Sequence, residues 1–392
     1  MDKAELLEER MSLFKNAVTG EQKNHRVPHR ANLWSWKFLD AGYTITEALY
    51  NYDVMEKVIR HCAETYPFDM LAETGWRNPV QVTEVLGNNE YILNDETSSI
   101  SIADQCFFED NDYDKLIENP GKFLWETFAP RKYKKLQSDE NSDSLKAFLE
   151  KKAEFGAFVG KMNRMLHDEY AIPYPVDMTS PFDQWGNGFE LLFCSIRGIK
   201  KLSTDIRRKP DKVLAAIEAM NDYFVKPRLE AAGKQEGTSK TAVFDTLLVM
   251  LGQTILSSKQ FEKFYWPYLK QVFDYIGDTK KIGYIFAEGE NARFYEFFNE
   301  AAPGTFAVCS EANDVFEMKE KMPNVTIAGG MPVALLGHGT PEECVDYAKK
   351  LVDQMAGDGK YIFSEGKMIS FPYDCKAENL KAVSDFIYEY RI

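Results

Sequence analysis

Short apolar runs followed by amphipathic helical stretches recur along most of the chain, and this alternation restricts the fold more than any other feature. The runs at 27–34, 68–74, 172–178, 242–251, 281–287, 304–309, 324–328 and 361–363 read as strands. Helical patterns follow several of them, at 45–65, 211–230, 292–301, 315–322, 341–355 and 377–390. A strand, a helical crossover and a further strand place successive strands parallel. About eight such units favour a closed barrel over an open doubly wound sheet.

The expected fold class is therefore α/β, a (β/α)8 barrel of the TIM type, with residues 1–392 forming one domain. Residues 1–18 read as an N-terminal helical extension, and 145–167 as a further helix. Residues 83–108 break the rhythm and are expected to be a hairpin insertion. Its strand-like runs lie at 82–86, 90–93 and 98–102, with turns at Gly87-Asn88-Asn89 and Asn94-Asp95. Residues 111–143 read as a polar, irregular connector, either a solvated link or a segment that covers the mouth or docks a partner.

Charge narrows the partners. A net charge of -14 repels phosphate, so nucleic acid is excluded as an expected partner. No run of about eighteen apolar residues is present, and the charged opening Met1-Asp2-Lys3-Ala4-Glu5 lacks the apolar core of a secretion signal. The six cysteines are scattered singly with no CxxC, which fits reduced thiols and a cytoplasmic location.

In a parallel barrel the chemistry sits just beyond the C-terminal ends of the strands. Four of those positions carry carboxylates: Glu73, Glu288, Glu311 and Glu365. Convergence of three would need a cation or shared protons to offset their repulsion, and a Zn²⁺-like ion accepts carboxylate, imidazole and thiolate ligands. The other reading of each acid is a stabiliser of a helix N-terminus. Cys309 and His338 are further ligand candidates. The aromatics Trp34, Trp36, Trp76, Phe182 and Trp185 follow early strands and would line a pocket for a flat apolar substrate, or simply pack the core. No GxGxxG, GxSxG, HxH or HExxH pattern points to a dinucleotide, an esterase elbow or a dense metal motif.

Several segments carry a resemblance. Asn24-His25-Arg26-Val27-Pro28; the run from Phe193 to Ile199 with Arg197-Gly198, then Asp205 and Pro210; the run from Ser257 to Lys270; Ala328-Gly329-Gly330-Met331-Pro332; Gly339-Thr340-Pro341-Glu342-Glu343-Cys344; and Glu378-Asn379-Leu380 with Ala382-Val383 occur in an order similar to that of the uroporphyrinogen decarboxylase superfamily. The resemblance spans roughly residues 20–390.

It implies the barrel, and either decarboxylation or methyl transfer to a corrinoid. The decarboxylases hold a polyanionic tetrapyrrole with an arginine-rich segment, where this chain has Asn32-Leu33-Trp34-Ser35-Trp36-Lys37. Tryptophans do not replace bidentate arginine contacts. The superfamily's zinc-dependent methyltransferases use a His-x-Cys pair and a later Cys; the corresponding positions here are Phe286, Glu288 and the neighbourhood of Ser364-Glu365. Phe286-Ala287-Glu288-Gly289 with Arg293 looks more like the branch that demethylates aromatic methyl ethers.

What the resemblance implies is thus the methyltransferase component of an O-demethylase. It would pass the methyl group of a small aryl methyl ether to the Co(I) corrinoid of a partner protein. Glu288 and Glu73 would be catalytic, zinc or a similar ion would be held by Glu288, Glu311 and Glu365, and the five aromatics would bind substrate. Methylamine, methanol or thiol donors, a folate or thiol acceptor, and a non-catalytic corrinoid- or tetrapyrrole-binding barrel remain open alternatives. The oligomeric state is also open, a homodimer included.

Overall fold

The computed structural model describes residues 2–137, 141–178, 180–181 and 184–392. Alternation along the late strands separates two apolar layers. In β9 (Gly283–Ala287), Tyr284 and Phe286 face an inner cluster, whereas Ile285 and Ala287 face an outer one. In β10 (Phe306–Ser310), Ala307 and Cys309 face inward, and Phe306 and Val308 outward. A period of two with both faces buried is the mark of strands enclosed by helices.

The other strands are β1 (Arg30–Ala31), β2 (Met70–Leu71), β3 (Tyr91–Asn94), β4 (Ser99–Ile102), β5 (Tyr174–Val176), β6 (Gln184–Trp185), β7 (Ala242–Phe244), β8 (Thr246–Met250), β11 (Thr326–Ala328) and β12 (Tyr361–Ile362). Parallel pairing runs in the order β12-β11-β10-β9-β8-β6, with β5-β7 and β1-β2 as parallel partners. The His29–Phe363 bridge and the Arg30 N–H, which donates to the Phe363 carbonyl at 2.9 Å, tie β12 to β1. β2 lies against β5. The circuit is that of the expected α/β TIM-type barrel.

The expected 242–251 strand is broken at Asp245. Its carboxylate accepts the N–H groups of Ser239 and Ile282, both at 2.9 Å, so the chain kinks there. The helix Lys3–Thr19, opened by an Asp2/Glu5 capping box, closes the N-terminal end of the barrel. Its Phe14, Ala17 and Val18 join the inner cluster, and Thr326 donates to the Ala17 carbonyl at 2.6 Å. Arg26 grips Asp69 with two bonds of 2.7 and 2.8 Å, and Arg10 reaches the same carboxylate. With that end sealed, the C-terminal rim is the open one.

Two connections differ from expectation. The run at 82–86 belongs to a helix, Val80–Glu84, and only β3 and β4 form the antiparallel hairpin. The described residues of the expected 111–143 connector are largely helical, at Asp112–Glu118, Pro120–Phe123 and Ala129–Lys132. Their polar composition hid buried Tyr113, Leu116 and Phe123, and Pro120 occupies a first-turn position. Tyr113 also explains part of the resemblance. Its hydroxyl and the Arg197 Nε both donate to Asp205, at 2.8 and 2.7 Å, so this arginine and aspartate hold the connecting segment in place.

Candidate active site

The loop after β2 turns sharply. Gly75 has φ +94°, and a Cβ there would meet the Phe158 ring at 3.0 Å. Glu73 organises this turn: one oxygen accepts the N–H groups of Gly75 (2.7 Å) and Arg77 (3.1 Å), and the other binds the buried Lys37 ammonium. Both oxygens are engaged, so Glu73 holds the turn that presents Trp76 and Arg77, and it also borders the adjoining cavity.

Arg77 crosses to the end of β9. Its Nη2 lies 3.7 Å from a Glu288 oxygen, and its guanidinium sits 5.0 Å from the Trp34 ring centroid. Glu288 is largely buried, with 21% of its side chain exposed. Burial pushes its carboxyl up to about 7; the charges of Glu311 and Glu190 act in the same direction, and Arg77 opposes them. A carboxyl at this value exchanges a proton near neutral pH, as a general acid must.

Beside this pair is a cavity of two adjoining lobes. The larger, about 100 Å³, is lined by Thr74, Trp76, Val176, Met178, Phe244 and Leu247. The smaller, about 20 Å³, reaches Glu73, Arg77, Val249, Phe286 and Met368. Arg30, Ala72, Trp76 and Leu247 border both.

The three carboxylates expected to hold an ion do not converge. Glu311 accepts the Gly289 N–H at 3.0 Å and shapes the turn that carries Glu288. Glu365 is fully buried, 3.2 Å from His29 Nε2 and accepting the Asn32 N–H at 2.6 Å. Burial would raise its pKa, but these partners hold it below the usual carboxylate range. Glu365 thus closes the β12–β1 seam, where both oxygens are engaged. Among the described residues no group of three His, Cys, Asp or Glu side chains is placed to hold a metal ion. The expected zinc ligation by Glu288, Glu311 and Glu365 does not fit this arrangement. Cys309 lies inside the barrel, where burial pushes its thiol up to about 11, and His338 is exposed at the end of helix Val333–His338.

The aromatics divide. Trp76 lines both lobes, and Trp34 backs Arg77 while donating to Asn78 at 3.0 Å. Trp36 belongs to the core, with its Nε1 donating to the Cys375 carbonyl at 2.9 Å; a helix begins at this residue and turns the ring away from the mouth. Phe182 falls outside the described residues, and Trp185 contributes the backbone of β6.

Arg30, Arg77, Phe244 and Glu190 were not singled out from sequence. Glu190 is buried and accepts from Leu251, Gly252 and the Tyr265 hydroxyl (2.7 Å), and burial raises its carboxyl. A basic residue inside an apolar strand, as Arg30 is, was the available signal.

No curated protein matches the chain in sequence. A methyltransferase from Methanosarcina mazei shares the fold, with a TM-score of 0.61, 14% identity, and 97% of this chain and 98% of that one covered. The sequence model of the family described as Uroporphyrinogen decarboxylase (URO-D) matches residues 134–390, and the chain belongs to that family.

Proposed function

We propose that the protein is a methyltransferase that removes the methyl group of a small aryl methyl ether and passes it to the corrinoid of a separate partner protein. The observation that carries this reading is Glu288, a carboxyl raised to about 7 that lies 3.7 Å from Arg77, which lines the smaller lobe of an aromatic-lined cavity. Lobes of about 100 and 20 Å³ are of the order of the roughly 150 Å³ cavity that holds one benzene ring, which supports a small ligand over a tetrapyrrole. The arginine-rich segment expected of a porphyrinogen site is also replaced by residues 32–37.

The chemical difficulty in this reaction is the leaving group. The partner's corrinoid, as Co(I), supplies the nucleophile that takes the methyl carbon. The carbon–oxygen bond breaks with its electron pair staying on oxygen, and protonated Glu288 donates to that oxygen, so a phenol leaves and Glu288 becomes a carboxylate. Arg77, 3.7 Å away, offsets the charge that appears. Trp76 and Phe244 hold the ring against apolar walls and keep water from the reacting bond.

The test combines the purified protein, a corrinoid protein reduced to Co(I), and separate additions of methoxylated arenes, methanol and methylamines. A change in corrinoid absorbance with methoxylated arenes is expected. Response to none of them defeats the ether reading, and response to methylamine alone reassigns the donor.

A further inference from the structure

The guanidinium of Arg30 is a cation buried inside the barrel, and no carboxylate among the described residues forms an ion pair with it. Arg30 is 5% exposed and projects from β1 between the two lobes of the cavity. Its side chain meets Tyr284: Nη1 donates to the hydroxyl at a long 3.4 Å, and the guanidinium sits 4.2 Å from the ring centroid. Among the described residues no carboxylate oxygen lies within 4.0 Å of it. The other buried arginines differ. Arg10 and Arg26 both meet Asp69, and Arg197 meets Asp205 and Asp110.

A guanidinium offers five N–H donors, and Tyr284 takes one. A buried charge is ordinarily paired, because desolvation without a partner is expensive. The partner missing from the protein is therefore supplied by the ligand. Arg77 adds a second positive charge at the same mouth, and Glu288, raised to about 7, is only partly ionised at neutral pH. The cavity is thus cationic inside a chain of net charge -14. Low-dielectric walls concentrate such a field on an entering anion.

We infer that Arg30 anchors the carboxylate of the substrate, so that the donor is a methoxylated aromatic carboxylate rather than a neutral ether. The planar fork matches a carboxylate with two parallel bonds. The aromatic ring then lies against Trp76, which borders both lobes. The inference takes its aryl ether from the reading above, but the anchor itself concerns binding alone.

Calorimetry on the full chain separates the two. Dissociation constants are measured for benzoate, 4-methoxybenzoate, benzamide and methoxybenzene, with the natural protein, Arg30→Gln and Arg30→Lys. Both carboxylates are expected to bind about 10–100-fold tighter than the neutral compounds. Arg30→Gln removes that preference while leaving methoxybenzene within about twofold, and Arg30→Lys keeps part of it. Equal affinity for benzoate and benzamide, a preference that survives Arg30→Gln, or binding of none of the four overturns the anchor. If Arg30→Gln fails to fold, the natural protein's selectivity and Arg30→Lys decide. Arg30-dependent benzoate binding without methyl transfer keeps the anchor and removes the reaction. Transfer from methoxybenzene with no carboxylate preference does the reverse.

Discussion

Glu288 and Arg77 face each other at 3.7 Å across the barrel mouth, one from the end of β9 and the other from the turn after β2. This spacing is too long for a tight ion pair, and it leaves the carboxyl's burial only partly offset. Were Arg77 close enough to form a bidentate pair, the carboxyl would be held ionised and could donate nothing. The looseness of the contact keeps a proton available on Glu288.

Glu288→Gln should therefore lower the rate of methyl transfer by a factor of about 100 to 10,000, the usual contribution of a general acid. On the proposed reading, methyl transfer by the natural protein should fall as pH rises through about 7, where Glu288 gives up its proton. The variant's residual rate should lack that limb. An unchanged profile in the variant assigns the proton to another group.

The same substitution should stabilise the fold above neutral pH. A carboxyl whose folded pKa exceeds its unfolded value binds more protons when folded, so its contribution falls as pH rises between the two values. For Glu288 that window runs from the ordinary carboxylate range up to about 7. Glu288→Gln has no buried charge to desolvate, and its melting temperature at pH 8 should exceed that of the natural protein. A lower value there would mean that the ionised carboxylate is well accommodated.

Arg77→Met removes the charge that opposes burial, so the Glu288 pKa should climb further. The alkaline limb of the activity profile is expected to move to higher pH, even though the rate itself drops with the loss of transition-state charge stabilisation. A limb displaced to lower pH contradicts the assigned electrostatics.

Much of the barrel was legible because both faces of strands such as β9 and β10 are buried and their runs, 281–287 and 304–309, are correspondingly apolar. Function was less so. Arg197 and Asp205 carry a recognisable motif yet act as a structural clamp on Tyr113. Arg30 lay inside an expected strand, but a strand reduced to Arg30–Ala31 offers no alternation from which to read its inward direction. Trp34 and Trp36 are two residues apart, and a helix starting at Trp36 sends one toward Arg77 and the other into the core. Glu288, Glu311 and Glu365 occupy equivalent strand ends, and only their hydrogen bonds distinguish a free acid from a turn former and a seam closer.

That last distinction separates metal ligation from structure at Glu365. As a ligand, its loss would empty an ion site; as the partner of His29 and Asn32, its loss would open the β12–β1 seam. Glu365→Gln should destabilise the protein by about 1–3 kcal/mol in denaturant titration, the effect of weakening charged hydrogen bonds in a buried setting. Its folded pKa is depressed, so the contribution is fully present above the unfolded carboxylate value and is lost as pH falls through the lower folded one. The natural protein and the variant should therefore converge in stability under acid conditions. Metal content, measured on both after the same purification, should be equal. A variant that keeps its stability but loses a bound ion would restore Glu365 to the metal site and remove it from the seam.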